Sequence, residues 1–180
     1  MIRASIRPVV WLFLLAGLWL CLPGNQAGAD QVRRPAWAGK FYPRGPDRLR
    51  EMIQNLTAEA RSTKVDLPSD RPLKALILPH AGYIYSGLTA AHAVHALEGR
   101  SFAKVVLMGP DHRIGIQNAA VSSASAYATP LGRIAIHPDA RKLKSSSRFF
   151  RAMPEADQGE HSLEVVLPFL QTFLADFELV

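Results

Sequence analysis

Two short runs of mainly apolar residues stand out in the hydrophobic pattern of the chain. Ala75-Leu-Ile-Leu78 and Lys104-Val-Val-Leu-Met108 lack the alternation of apolar and polar residues, which predicts strands buried on both faces of a sheet. Between them, residues 88–97 form an alanine-rich segment that predicts a helix ending at Gly99. The order strand, helix, strand predicts a βαβ unit with parallel strands and a right-handed crossover.

Helical periodicity predicts two further helices beside this unit. Asp47 is placed to cap a helix over about residues 48–62, where apolar residues recur on one face. Another helix is expected from His161 or Ser162 to about residue 175. The remaining predicted elements are strands over 119–123, 132–137 and 177–180, a helix opened by Pro138-Asp139, and an acidic, turn-rich loop over 153–159. We therefore expect an α/β domain with an open, mainly parallel sheet flanked by helices.

The amino-terminal segment has the features of a secretory leader. An arginine-bearing start precedes the uncharged, apolar residues 9–22, and Ala27-Gly28-Ala29 supplies small residues for cleavage. We interpret residues 1–29 as a signal peptide and residues 30–180 as the folded domain. An exported, periplasmic protein is expected. The alternative is a protein held in the membrane through an uncleaved leader, and no other membrane contact is expected.

Composition fits a folded domain and changes the picture little. The chain has 180 residues, of which 48% are hydrophobic and 20% charged, enough for one domain with a core. The formal net charge of +6 falls to +4 without Arg3 and Arg7 of the leader. The other basic residues are scattered and are not interleaved with aromatic residues, so we expect no nucleic-acid partner.

Cysteine usage restricts the available chemistry. The single cysteine, Cys21, lies in the predicted leader, so residues 30–180 offer neither a disulfide nor a thiolate. A metal bound by this part of the chain must therefore be held by His, Asp or Glu, or by groups from elsewhere.

Two histidines follow the two predicted central strands. His80 comes directly after Pro79, and His112 follows Gly109-Pro110. Because the carboxyl ends of parallel strands meet at one edge of a sheet, we expect the two imidazoles to lie close together in a metal or acid/base site. Neutral imidazole suits iron, copper and zinc alike, so the pair does not name the metal. The alternative for each is a loop histidine satisfied by the backbone.

Four other residues are candidates for the same site. Asp111 is placed to orient His112, and Tyr83 either walls the pocket or packs as an aromatic residue of the core. Glu160 and His161 stand at the start of a predicted helix. His161 is therefore a candidate catalytic group that hydrogen-bonds a ligand or tunes a metal-binding histidine, and the alternative is a simple helix cap.

Five short motifs occur in order along the chain. They are Arg34-Pro-Ala-Trp-Ala-Gly-Lys-Phe-Tyr-Pro43, Pro79-His-Ala-Gly-Tyr83 with Tyr85-Ser-Gly87, Gly109-Pro-Asp-His112, Tyr127-Ala-Thr-Pro-Leu-Gly132, and Glu160-His-Ser-Leu-Glu164 with Leu167-Pro168. In these motifs the chain resembles the MEMO family, also known as AmmeMemoRadiSam system protein B. The resemblance implies a fold like that of the class III extradiol dioxygenases, which carry a non-haem iron site at the edge of an α/β sheet.

The resemblance also implies a site and an incomplete domain. His80 and His112 fall on the two metal-associated histidines of the family. A dioxygenase-like, metal-dependent oxidoreductase would hold Fe(II) through them and a third ligand. Family chains continue well past Val180, and that part supplies the remaining ligand and a further active-site histidine. The expected alternatives are a non-catalytic module that binds a small molecule or a protein partner, and a truncated, inactive remnant.

Overall fold

The computed structural model describes residues 31–63 and 71–180. The predicted signal peptide, residues 1–29, lies outside the described residues. Within the part of the chain that is described, no helix combines the length and the apolar character needed to span a bilayer. The described residues form helices and short, mostly parallel strands, which confirms the predicted α/β class.

Five α-helices and seven short strands make up the described fold. The helices are α1 (Pro46–Arg61), α2 (Tyr83–Val94), α3 (Pro138–Ser146), α4 (Pro154–Gln158) and α5 (Leu167–Phe173). The strands are β1 (Val32–Arg33), β2 (Lys104–Val105), β3 (Ala119–Ala120), β4 (Ala126–Thr129), β5 (Gly132–Ala135), β6 (Phe150–Arg151) and β7 (Glu178–Leu179). Single 3-10 turns follow α2 and precede α5, at His95–Leu97 and Glu164–Val166.

The strands form three small sheets where one open sheet was expected. The largest has the order β1-β4-β5, with β1 parallel and β5 antiparallel to β4. The other two are the parallel pairs β2-β7 and β3-β6. The predicted strand at the end of the chain is therefore present, and it lies beside the run that begins at Lys104.

The prediction that residues 75–78 form a doubly buried strand is wrong for this structure. The segment has no strand partner among the described residues. Leu76 and Leu78 pack against the core, whereas Ile77 between them is 97% exposed. An apolar run favours burial of both faces, but burial also requires neighbours, and here only one face has them.

The second apolar run, residues 104–108, is also covered on one side only. It forms a strand over Lys104–Val105, and its pairing continues through Leu107, whose N–H donates to the carbonyl of Val180. Val106 and Met108, on the alternate face, are 64% and 86% exposed. The two runs therefore share an alternation of covered and open side chains that their composition does not show.

Helices α1 and α2 pack closely against each other. A Cβ at Gly87 of α2 would lie 2.7 Å from Leu56 Cδ1 of α1, so the glycine sets how near the helices approach. Helix α2 begins at Tyr83, earlier than the predicted residue 88, because Tyr83 and Gly87 already face the core. Helix α1 is preceded by Gly45 and opened by Pro46, so Asp47 lies in its first turn and is not its cap.

The helix predicted over 162–175 is divided in two. A 3-10 turn over Glu164–Val166 leads into α5, which places Pro168 in its first turn. Proline has no backbone N–H to continue a helix that started earlier, and it is tolerated in the first turn, where that group has no partner. Residues 160–163, which precede the 3-10 turn, are thereby left outside the helix, and they include Glu160 and His161.

Candidate metal centre

Three histidines from separate loops come together on the surface. One ring nitrogen of each of His80, His112 and His161 lies within 4.8 Å of those of the other two. The ring centroids are 5.2 Å apart for His80 and His112, and 4.4 Å apart for the stacked rings of His112 and His161. His80 and His161 are half-buried, whereas His112 is exposed. The cluster thus has the spacing of a metal site with an open side.

Local structure explains how the three loops meet. His80 lies in the loop before α2, and this helix is anchored where the Tyr83 N–H donates to the carbonyl of Phe41. The loops of His112 and His161 are joined by Ser162, whose hydroxyl donates to the carbonyl of Pro110. A Cβ at Gly109 would lie 2.6 Å from that hydroxyl oxygen, so glycine is what lets the two loops approach so closely.

Glu160 connects His112 to His161. Its carboxylate accepts hydrogen bonds from the backbone N–H and Nδ1 of His112, at 2.8 and 2.9 Å. It also accepts from the backbone N–H groups of His161 and Ser162, at 2.7 and 2.9 Å. Because a carboxylate only accepts, Nδ1 of His112 carries the proton and Nε2 keeps its lone pair for a ligand. A carboxylate behind a histidine is a common arrangement around protein-bound metals.

The surroundings set the charge states of Glu160 and His161. Burial alone would raise the pKa of Glu160, but the hydrogen bonds from His112, Ser162 and His161 together lower that pKa to about 2. Burial lowers the pKa of His161, and the nearby positive groups act in the same direction against the Glu160 charge. Glu160 is therefore an anion near neutral pH, and His161 is favoured as the neutral imidazole that metals bind.

The buried ion pair of Arg33 and Glu164 holds the loop of His161 in place. Glu164 is fully buried, and its carboxylate accepts from Arg33 Nη1 at 2.8 Å and from the hydroxyl of Tyr42 at 2.7 Å. The backbone N–H groups of Ala36 and Trp37 donate to the same carboxylate, at 2.9 and 2.8 Å. Arg33 also donates to the backbone carbonyl of Glu160. The amino-terminal segment is thus tied to the loop that carries the third histidine.

Aromatic and basic residues border the cluster. The rings of Phe41 and Trp37 lie 4.8 and 5.4 Å from the ring of His161. The guanidinium of Arg113 lies 4.9 Å from the centroid of the Trp37 indole, and the ammonium of Lys40 lies 5.5 Å from it. These aromatic contacts therefore cover one side of the third histidine.

Two of the predicted site residues lie away from the histidines' ring nitrogens. The Asp111 carboxylate accepts from the four backbone N–H groups of residues 113–116, which lower its pKa to about 2, so it orders its own loop and not the His112 ring. Tyr83 is buried against Tyr42 and Phe169, and its hydroxyl donates to the carbonyl of Val165. Of the alternatives stated for Tyr83, the structure places it in the core.

Two clefts lie elsewhere on the described part of the chain. A cleft of about 470 Å³ is bordered by Arg50, Arg133 and Gln171, and another of about 350 Å³ by Arg33, Pro154 and Asp157. Neither cleft is lined by His80, His112 or His161. The histidine cluster is therefore not part of either cleft.

Sequence reasoning did not assign roles to Glu164, Arg33 or Arg113. One sequence feature could have indicated a buried ion pair at Glu164. It is an isolated acid within an otherwise apolar segment from Leu163 to Leu170, and a buried acid requires a partner. Nothing local marks Arg33 as that partner, because 131 residues separate the two. Arg113 is next to His112 in the chain, but its position over Trp37 depends on tertiary structure.

Comparison with known proteins places this chain in a family. Residues 33–180 match the family model described as Memo-like protein. A MEMO1 family protein of Aquifex aeolicus is 38% identical over 143 residues, covering 79% of this chain and 51% of the relative. A MEMO1 family protein of Thermoplasma volcanium is 33% identical, covering 78% of this chain and 50% of the relative. Protein MEMO1 of Rattus norvegicus is 32% identical, covering 76% of this chain and 44% of the relative. The chain thus spans about half the length of the curated relatives it matches. It belongs to the Memo-like protein family.

Proposed function

We propose that this chain is a metal-binding protein that holds one divalent transition metal through His80, His112 and His161. The observation that carries the proposal is the meeting of three imidazoles whose ligand atoms lie within 4.8 Å of one another. Such closeness is unfavourable for three histidines that each gain a proton, and it is favourable when neutral rings share a cation.

The chemistry of the donors fits such a metal. Three neutral nitrogen ligands suit Fe(II), Cu(II) and Zn(II), whereas magnesium and calcium prefer oxygen. Nδ1 of His161 is buried and makes no well-aligned hydrogen bond, although Glu160 Oε1 lies 3.2 Å from it. A buried nitrogen without such a bond is costly unless something else satisfies it. Glu160 supports the remaining nitrogen of His112 as an acceptor behind the ring.

A dioxygenase-like role is the finer form of this proposal. Bound Fe(II) would supply open coordination positions for a substrate and dioxygen. The protein's own contribution would be to orient His112 through Glu160, and to shield His161 from water with Trp37 and Phe41. Likeness of fold does not carry an activity with it, so the reaction is part of the proposal.

One observation favours a non-catalytic, ligand-binding module as the second candidate. Among the described residues, the acids nearest the cluster are already engaged: Glu160 accepts four hydrogen bonds and Asp111 another four. Neither carboxylate is left with an open position from which to take a substrate proton. If His161 does not bind the metal, it is the residue of the described cluster that is left for an acid/base role.

Metal loading of histidine variants tests the proposal. The full chain is loaded with Fe(II), Co(II) or Zn(II), dialysed, and analysed for metal content, with circular dichroism to check the fold. His80→Ala, His112→Ala and His161→Ala are each expected to lower the bound metal well below one ion per chain. His92→Ala on α2 is the matched control and should load like the wild type.

The outcomes separate the possible roles. Equal loading of all four variants and the wild type would eliminate the proposed ligands. Loss of metal in His80→Ala and His112→Ala, with normal loading of His161→Ala, would leave a two-histidine site and assign His161 to acid/base chemistry. Turnover of oxygen by the iron-loaded chain, measured with an oxygen electrode and a panel of catechols, would distinguish an oxygenase from a binding module.

We also propose that the domain acts outside the cytoplasm. Residues 1–29 have the order of basic, apolar and small residues of a signal peptide, so cleavage after Ala29 is expected to leave residues 30–180. Mass spectrometry of the amino terminus after periplasmic extraction tests this. An intact Met1 in the membrane fraction would indicate an anchor.

A further inference from the structure

Two basic side chains lie at the rim of the histidine cluster. Arg113 and Lys40 are both exposed, and both lie against the indole of Trp37, which itself contacts His161. Neither forms an ion pair with an acidic side chain in the described part of the chain. Elsewhere in the fold, Arg33, Arg61 and Lys104 each pair with a carboxylate. The rim beside the cluster therefore carries positive charge that no carboxylate among residues 31–63 and 71–180 neutralises.

The position of Arg113 is fixed well enough to recognise a ligand. Its backbone N–H donates to Asp111, and its side chain passes Gly159, where a Cβ would lie 3.7 Å from Arg113 Cδ. Stacking on an aromatic face holds a guanidinium by its plane and leaves its in-plane N–H groups free to donate. Those donors form a planar fork that matches the two oxygens of a carboxylate.

The charge balance of the loaded site also favours an anion. Three neutral imidazoles leave the charge of a divalent metal uncompensated, and the nearest anion is Glu160, already engaged by four N–H groups. The Asp111 carboxylate is turned to the backbone of residues 113–116. The positive charge of the metal, Arg113 and Lys40 together exceeds the negative charge of these two carboxylates. An anionic ligand would thus meet a positive field on approach.

From this arrangement we infer that the site takes a small carboxylate, which contacts the metal held by the three histidines and is gripped by the guanidinium of Arg113. The inference rests on the proposed metal site and adds the class of ligand to it. Arg113 is the residue that sets specificity for the anion. Lys40, a more mobile point charge, contributes attraction without the planar fork.

The test uses Co(II) as a spectroscopic probe in the full chain. Visible absorption of the Co(II)-loaded protein reports ligands entering the metal's coordination sphere, and acetate, inorganic phosphate and neutral acetamide are titrated separately. Acetate is expected to shift the bands with saturation, whereas acetamide leaves them unchanged. Arg113→Gln is expected to weaken acetate binding about tenfold while Co(II) affinity stays at the wild-type value. Arg141→Gln, an exposed arginine on α3, is the matched control and should bind acetate normally.

Each outcome decides a separate point. If Co(II) does not load, the proposed metal site fails and this inference fails with it. If Co(II) loads and acetate binds equally well to wild type and Arg113→Gln, the metal site stands and the role of Arg113 is overturned. Tighter binding of phosphate than of acetate, or binding of acetamide equal to that of acetate, would overturn the assignment of a carboxylate ligand.

Discussion

Glu160 contacts His112 twice, accepting from its backbone N–H at 2.8 Å and from its imidazole Nδ1 at 2.9 Å. The double contact fixes both where the His112 loop lies and how its ring is turned. Glu160→Gln would place an amide N–H against one of these donors. We expect metal affinity to fall about 10- to 100-fold, measured by competition with a chelator, because the ring loses its orienting acceptor.

A matched control separates this effect from loss of charge alone. Glu155→Gln removes a carboxylate from the exposed first turn of α4 and is expected to leave metal affinity unchanged. Wild-type metal affinity in Glu160→Gln would show that Glu160 organises the backbone only.

The buried pair of Arg33 and Glu164 is expected to dominate stability. Glu164→Gln removes one of the two carboxylates that pair with Arg33, whose side chain is only 3% exposed, and leaves Asp157 Oδ1 at 3.2 Å as the other. It also places an amide N–H against donors that need an acceptor. Breaking a buried pair of this kind costs about 3–5 kcal/mol in the free energy of unfolding. Urea denaturation followed by circular dichroism gives the value.

The exposed pair of Arg61 and Glu98 provides the comparison. Its side chains are 63% and 44% exposed, so Glu98→Gln is expected to cost less than about 1 kcal/mol. Similar losses in Glu98→Gln and Glu164→Gln would contradict a special role for the buried pair.

Gly109→Ala tests how closely the two histidine loops approach. The added methyl would lie 2.6 Å from Ser162 Oγ and 2.9 Å from Leu163 Cδ2, so the loops must separate. We expect a loss of about 1–3 kcal/mol in unfolding free energy and weaker metal binding, because His112 moves away from His161. Gly45→Ala, where nothing lies within 4 Å of the added methyl, should change unfolding free energy by less than about 1 kcal/mol and leave metal binding unaltered. Normal metal affinity in Gly109→Ala would mean that the loops adjust without moving the histidines.

Three buried tyrosines predict sensitivity to alkali. Burial raises the pKa of Tyr42, Tyr83 and Tyr127 above the ordinary value of 10.0, and neighbouring groups add to the effect. In the unfolded chain these hydroxyls ionise near pH 10, whereas in the folded chain they stay protonated. The contribution of these tyrosines to the free energy of unfolding is therefore complete below pH 10. As the pH rises above 10, the free energy of unfolding falls by about 1.4 kcal/mol per pH unit for each tyrosine.

Urea denaturation between pH 9 and pH 11.5 measures this slope. Tyr83→Phe removes one of the three hydroxyls and should reduce the tyrosine contribution to the slope by about one third. Tyr85→Phe, whose side chain is exposed, should leave the slope as in the wild type. Identical slopes for wild type and Tyr83→Phe would rule out this source of alkaline instability.

The open faces of the two central runs predict self-association. Ile77, Val106 and Met108 project apolar side chains into solvent, and residues 75–78 have no strand partner among the described residues. Unpaired edges and apolar patches favour pairing between molecules. Residues 30–180 are therefore expected to be marginally stable or to self-associate in sizing chromatography, and Ile77→Lys or Val106→Lys should shift the profile toward monomer. Ile84→Lys, at an exposed position of α2, is the control; a monodisperse wild type with a sharp melt would contradict the prediction.

The sequence predicted the family and the class of fold, because short motifs are local features. It also predicted that His80 and His112 lie close together, although residues 75–78 do not form the strand on which that prediction depended. It left the position of His161 open, since only tertiary contacts decide whether a histidine at a helix start faces a site or caps the helix. Asp111 shows a different difficulty. Its four backbone donors lie within five residues of it. The Asp111 carboxylate therefore accepts from these local N–H groups and does not hydrogen-bond the imidazole of His112.

Sheet formation was less predictable than the helices. Residues 75–78 have the composition of a buried strand, but pairing depends on a neighbour that no local pattern reveals. The helix predicted over 162–175 failed for a reason visible in the sequence, because Pro168 cannot lie in a helix interior. The pairing of Arg33 with Glu164 could not be foreseen, since charge complementarity alone does not select one partner among many.

The bond between Arg33 and Glu164 has a kinetic consequence. Their separation of 131 residues is the largest among the side-chain hydrogen bonds of the described residues, and closing so long a loop is entropically costly. Helices α1 and α2, adjacent in the sequence, can associate well before this contact forms. The loop of His161 is therefore expected to order last during folding, so that His80 and His112 are available to a metal before the third imidazole arrives. A metal bound to His80 and His112 during refolding would then favour the approach of the His161 loop, and with it the contact between Glu164 and Arg33.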